Sequence, residues 1–171
     1  YDNDLLPDDF ARVDIETGDE LTNVTGVVDY AFGNFEIRVT EEFEVETTSA
    51  NEAEVTDVVG TEDRLSVATY NVLNITSAEA DGDEEQIAAL GDQIVNNLEV
   101  PDIIALQEIQ DDGGVADDGT LSADETLQAI ADAIVDAGGP EYEGVSAVVD
   151  EEGENGGVPG GNIRNACLYN P

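Results

Sequence analysis

The chain has 171 residues, with 42 acidic side chains against 4 basic ones, no His, Met or Trp, a single Cys and a formal net charge of -38. An apolar share of 40% supplies a core and excludes a disordered acidic tail, and one Cys excludes an internal disulfide. Acid spread along the whole length points to the surface of a halophilic protein rather than to a discrete acidic interaction segment.

Residues 1–46 read as all-β. In LTNVTGVVDYAFGNFEIRVTEEFEV two runs meet at Gly33-Asn34, a two-residue hairpin signal, with Phe35, Ile37 and Val39 on one face and Glu36, Arg38 and Thr40 on the other. Tyr30, Phe32 and Phe35 are offered either to a core or to stacked bases. Core packing is the expectation, because only Arg12 and Arg38 supply positive charge and stacking platforms come with a basic channel. Residues 47–63 are polar and acidic without sustained period, and form a linker that self-repulsion extends.

From Arg64 the pattern changes to strand, helix, strand. Leu65, Val67 and Thr69 alternate with Ser66, Ala68 and Tyr70, and the strand gives out on the polar Asn71. After the cap-competent DGDEE, Ile87, Leu90, Ile94 and Leu98 recur at helical spacing. Pro101 breaks the helix. Ile103 to Leu106 is an unbroken apolar run, as in a strand covered on both faces, and it leads into Gln107 and Glu108. A helical crossover between parallel strands brings their carboxyl ends together, so Asn71 and Glu108 converge on one rim of the sheet. An amide oxygen beside a carboxylate suits a hard cation such as Mg²⁺, which takes oxygen ligands and keeps several waters. The alternative is that Asn71 caps a turn and Glu108 is a solvated strand end.

The loop DDGGVADDG has the composition of a calcium loop without the ligand order of an EF-hand. A solvated loop is expected, with a structural Ca²⁺ as the alternative. Ser122 and Glu125 form a capping box for a second helix with Leu127, Ile130 and Ile134 on its stripe, ended by Gly138-Gly139. The loop EEGENGGVPGGN follows, and IRNACLYN reads as a last strand, with Cys167 packed as a small hydrophobe. Asn23-Val24-Thr25 and Asn74-Ile75-Thr76 fit the N-glycosylation sequon, a short pattern that also arises by chance. No run is long or apolar enough to span a bilayer, no signal peptide is present, and both ends look like cuts in a longer protein.

The segments TYNVLN (Thr69 to Asn74) and DIIALQEIQD (Asp102 to Asp111) resemble the first two motifs of the endonuclease/exonuclease/phosphatase family, the DNase I-like fold. Later segments from Asp118 to Gly144 and Gly156 to Pro171 resemble its secreted nuclease subset, and VTGVVDYAFGNFEI resembles the OB-like module that often precedes the domain. The resemblance implies an α+β chain: part of an OB-like β module over 1–46, an acidic linker over 47–63, and over 64–171 the N-terminal half of a DNase I-like sandwich. It implies that Asn71 and Glu108 bind Mg²⁺ or Mn²⁺, that Gln107 orients them, and that Arg164 contacts substrate phosphate. The expected parent is a secreted, metal-dependent nuclease acting on DNA or RNA in molar salt, where a Debye length of about 3 Å screens repulsion between polyanions. With no His for a general base and the second half of the domain absent, the 171-residue chain itself is expected to be inactive. Apolar strand edges such as Ile163 to Tyr169 are expected to be left unpaired. A phosphoinositide or sphingomyelin hydrolase of the same fold and a non-catalytic acidic binding module are the alternatives.

Overall fold

The computed structural model describes residues 15, 17–46, 53–78, 83–158 and 160–171, and the chain divides into two units, Tyr1–Ala53 and Glu54–Pro171. The division falls within the acidic stretch read as a linker, whose residues 47–52 lie outside the described ones. Beyond the division, Thr56 N donates to Asn97 O at 2.9 Å and Asn97 Nδ2 to Glu54 O at 3.2 Å, so the end of that stretch is bonded into the second unit.

The first unit contains β1 (Glu20–Thr22) paired antiparallel with β4 (Glu44–Glu46), and β2 (Gly26–Ala31) paired antiparallel with β3 (Asn34–Val39). The hairpin turn lies one residue earlier than Gly33-Asn34. Phe32 at φ 52° and Gly33 at φ 86° are its central residues, the two left-handed positions that a twist-matched two-residue loop requires. Tyr30 stands opposite Phe35, their rings edge to face with centroids 5.0 Å apart. The expectation that this face is core is overturned, since Tyr30, Phe35 and Ile37 are all exposed, Phe35 to 81%. Alternation fixes which side chains share a face and says nothing of what covers that face. Among the described residues the strands form two separate two-stranded ladders and no closed OB-like barrel. Arg38 pairs with Asp29 at 2.6 Å, and Arg12 lies outside the described residues.

The second unit is one four-stranded sheet in the order β5-β6-β8-β7, from β5 (Val67–Ile75), β6 (Ile103–Ile109), β8 (Arg164–Tyr169) and β7 (Glu143–Ser146), with α1 (Glu84–Asn96) and α2 (Asp124–Asp136) against one face. β5 and β6 are parallel across α1, and β8 runs antiparallel to both β6 and β7. The core lies between the helices and the sheet. Ile87, Leu90 and Ile94 of α1 and Leu127, Ile130 and Ile134 of α2 pack with Val72, Ile104, Leu106 and Leu168. The helices approach closely at Gly91, where a Cβ would come within 2.5 Å of the Ala133 carbonyl oxygen.

This architecture corrects the sandwich expectation. Among the described residues no second sheet packs on the first, and the face away from the helices leaves Val67 and Val145 more than half exposed. The Ile103 to Leu106 run is correspondingly covered on one face only: Ile104 and Leu106 are fully buried, whereas Ile103 and Ala105 are half-buried. β8 is not an unpaired edge, being bonded on both sides; the sheet's edges are β5 and β7.

The helix ends also differ from the capping expectation. Neither N-cap residue, Asp83 or Ala123, makes a side-chain cap bond; Asp83 Oδ2 instead accepts Thr76 N at 3.0 Å, and the first turn of α2 is bonded from outside the helix, with Ser122 Oγ accepting Asp124 N at 2.9 Å and Asp112 Oδ1 accepting Thr126 N at 2.8 Å. Asp81 and Gly82 of the expected cap lie outside the described residues. The end of α2 does follow the glycine signal, with Gly138 at φ 96° and Gly139 N bonded to Ile134 O.

Candidate metal centre

Parallel pairing sets Asn71 directly opposite Gln107, one residue short of Glu108. At that point both strands leave regular geometry. The β5–β6 register shifts between Asn71 and Ile75, and the β6–β8 register shifts between Leu106 and Ile109. Three non-glycine residues take left-handed backbone there: Leu73 at φ 54°, Asn74 at φ 57° and Glu108 at φ 63°. Such a conformation costs on the order of 1 kcal/mol or more for a residue with a Cβ, and bulges of this kind re-aim side chains.

The re-aiming brings the two candidate residues into contact. Asn71 Nδ2 donates to Glu108 Oε1 at 2.7 Å, and Asn71 Oδ1 accepts Leu73 N at 2.9 Å. A backbone N–H can only donate, so this second bond fixes which end of the amide faces Leu73 and leaves the NH₂ for the carboxylate. Asn71 is exposed and Glu108 half-buried, so the pair opens on the sheet rim rather than into the core.

Two further side chains hold the bulges, and sequence reasoning missed both. Gln110, fully buried, donates from Nε2 to Asn74 Oδ1 at 2.8 Å, while its backbone N–H bonds Ile75 O at 2.9 Å. Gln86 of α1 donates to the Val72 carbonyl at 2.7 Å, satisfying an oxygen the bulge would otherwise strand. The one available signal was Asn74 itself, since Asn tolerates left-handed backbone better than most residues.

A family model for a domain of unknown function, DUF8508, matches residues 3–51. It covers the first unit and stops short of Asn71 and Glu108. No curated protein and no solved structure matches the chain.

The other expected site residues are placed differently. Gln107 does not orient the pair: its Oε1 accepts Thr69 Oγ1 at 3.2 Å and its Nε2 donates to Ala105 O at 2.9 Å. Arg164 is not offered to a phosphate. It is 7% exposed, on the helix-covered side of β8 with Ala166 and Leu168, donating to Asn162 O at 3.0 Å and Leu121 O at 2.6 Å. Burial pulls its pKa below the usual value, against the opposing pull of Asp111, Asp112 and Asp124.

The aspartates of the DDGGVADDG loop act largely as turn acceptors. Asp111, fully buried, takes Gly113 N and Asn162 Nδ2; Asp112 takes Thr126 N, and Asp118 takes Thr120 N. This loop is pinned to its neighbours rather than simply solvated.

Among the described residues no three of His, Cys, Asp and Glu converge as a metal-binding group. The donor set at the rim is therefore one carboxylate and one amide. That set suits an ion that retains most of its water, as Mg²⁺ does, and does not suit an all-protein cage. No helix among the described residues is long and apolar enough to cross a membrane.

Proposed function

We propose that the second unit carries the metal-binding end of a secreted, metal-dependent phosphodiesterase of the nuclease type. The observation that carries the reading is the 2.7 Å contact between Asn71 and Glu108, made across two strands whose backbones both depart from regular geometry to allow it. Strain gathered at one rim, around a polar pair with no packing role, is what a binding site costs a fold. The resemblance of the TYNVLN and DIIALQEIQD segments to nuclease motifs supports the same two residues.

In this reading Glu108 holds Mg²⁺ or Mn²⁺, with Asn71 fixing the carboxylate and offering the remaining lone pair of its amide oxygen. The ion would neutralise charge on a phosphodiester and lower the pKa of bound water. The chain contributes binding and orientation. It contains no His to serve as general base, and Arg164 is turned inside, so the ion would have to supply the positive charge that meets the phosphate.

The test is metal-dependent capture of a short oligonucleotide in molar salt, where charge repulsion from the acidic surface is screened. Binding that requires Mg²⁺ and is lost in Glu108→Ala, without turnover by the 171-residue chain, is the expected result. Oligonucleotide binding that is equal with and without Mg²⁺ contradicts the reading, and capture of phosphoinositide or phosphocholine headgroups in its place moves the substrate to another phosphate ester.

A further inference from the structure

The two sequons differ in a way the sequence does not show. At Asn74 both partners are used by the fold: Asn74 Oδ1 accepts Gln110 Nε2, and Thr76, 2% exposed, donates from Oγ1 to Asp111 O at 2.7 Å while accepting Ala78 N at 3.1 Å. Folding therefore explains why an Asn and a Thr stand there. It also hides that Thr hydroxyl from any enzyme acting on the folded protein.

At Asn23 the situation is reversed. Asn23, Val24 and Thr25 are all exposed in the turn between β1 and β2. Asn23 is at φ 59°, and among the described residues its side chain has only a 3.5 Å contact from Nδ2 to Glu44 Oε2. The left-handed backbone accounts for an Asn at 23. It does not account for Thr25, whose carbonyl accepts Thr40 N and Thr40 Oγ1 but whose own hydroxyl has no hydrogen-bond partner among the described residues.

We propose that Asn23 is an N-glycosylation site and that Asn74 is not. The donor class is a lipid-phosphate-linked oligosaccharide, and the hydroxyl of Thr25 completes the acceptor sequence. A bond forms between Asn23 Nδ2 and the anomeric carbon, the bond from that carbon to the lipid phosphate oxygen breaks, and the amide loses one proton as the lipid phosphate leaves. No oxidant or reductant is needed. A bulky hydrophilic glycan here would add polar surface to a unit whose hairpin exposes Tyr30, Phe32 and Phe35. Occupancy in the native cell rests on the reading that the protein is secreted.

The test exports the full chain, with a supplied leader, from a cell that has an oligosaccharyltransferase, which makes the outcome independent of whether the native protein is secreted. Intact mass and peptide mapping are then read for the wild type, Asn23→Gln, Thr25→Val and Asn74→Gln. The expected result is a glycan mass on the Asn23 peptide in the wild type and Asn74→Gln, and its loss in the other two. An exported wild type with an unmodified Asn23 peptide, or a glycan that persists in Asn23→Gln, overturns the proposal.

Discussion

Gln110 and Asn74 are joined by a 2.8 Å hydrogen bond that ties the bulge of β5 to the end of β6, two residues beyond Glu108. Gln110 is completely buried, and its Oε1 has no partner among the described residues. A buried amide kept at that cost is most economically explained by what its Nε2 holds in place. Replacing it with Ala frees Asn74 and the left-handed turn around it. Gln110→Ala is expected to lower stability by about 2 kcal/mol and, if the proposed site holds, to weaken Mn²⁺ binding roughly tenfold although it touches neither Asn71 nor Glu108. Chemical denaturation and a metal titration measure the two effects separately, and unchanged metal affinity would limit Gln110 to a purely structural role.

Glu108 at φ 63° sets backbone strain against the proposed metal-binding role at a single position. Glycine adopts this backbone without the Cβ penalty, whereas alanine removes the carboxylate and keeps the strain. Glu108→Gly should therefore melt higher than Glu108→Ala, by the equivalent of about 1 kcal/mol, while both lose the metal. Equal melting temperatures for the two variants would show that the left-handed conformation is not strained.

The parallel pair with its helical crossover was legible in the sequence because Ile87, Leu90 and Ile94 repeat at helical spacing between two strand-like runs. That Asn71 and Glu108 share one rim followed from that topology, whereas their contact depends on the bulges. The bulges were not legible: Leu73 carries the left-handed turn, and leucine gives no signal for it. β5 accordingly runs past Asn71 to Ile75 instead of ending there. Layer number was also out of reach, since an apolar run such as Ile103 to Leu106 looks the same whether one face is covered or two. Arg164 was placed at a substrate phosphate by the resemblance, but its partners are backbone carbonyls inside the fold, and residue type alone does not show which face of its strand the helices cover.

Arg164 makes its own prediction. Its Nη2 is buried without a partner among the described residues, and Asp111, Asp112 and Asp124 contribute to its electrostatic surroundings. Arg164→Ala removes two bonds to carbonyls and leaves buried acid less compensated, so a loss of about 3 kcal/mol is expected. Mn²⁺ affinity, measured where the variant remains folded, should stay near the wild-type value. A selective loss of phosphate or oligonucleotide binding with stability intact would restore Arg164 as a substrate contact.

Asp102 and Ser66 pin the starts of β6 and β5 together. Asp102 Oδ2 accepts Ser66 N at 2.7 Å and Ser66 Oγ at 2.8 Å, and these bonds, the backbone one foremost, hold its carboxyl below the usual carboxylate range. A pKa depressed by folding contributes stability above the unfolded value of about 4, and that contribution is lost as pH falls through the folded value. Asp102→Asn should thus lower the melting temperature at pH 7, and the gap to the wild type should narrow as the pH drops below about 4. Comparing two chains that differ at one residue cancels most of the general effect of neutralising the other acids. A gap that is constant with pH would show that the charge of Asp102 plays no part.

The most direct test of the proposed metal centre is a Mn²⁺ titration followed by electron paramagnetic resonance in molar KCl, where diffuse cation binding to the acidic surface is suppressed. The wild type is predicted to show one site above that background, with Glu108→Ala weakening it at least about tenfold, as expected when a metal's carboxylate ligand is lost. Identical stoichiometry and affinity in the wild type and Glu108→Ala would contradict the assignment of Asn71 and Glu108 as a metal centre.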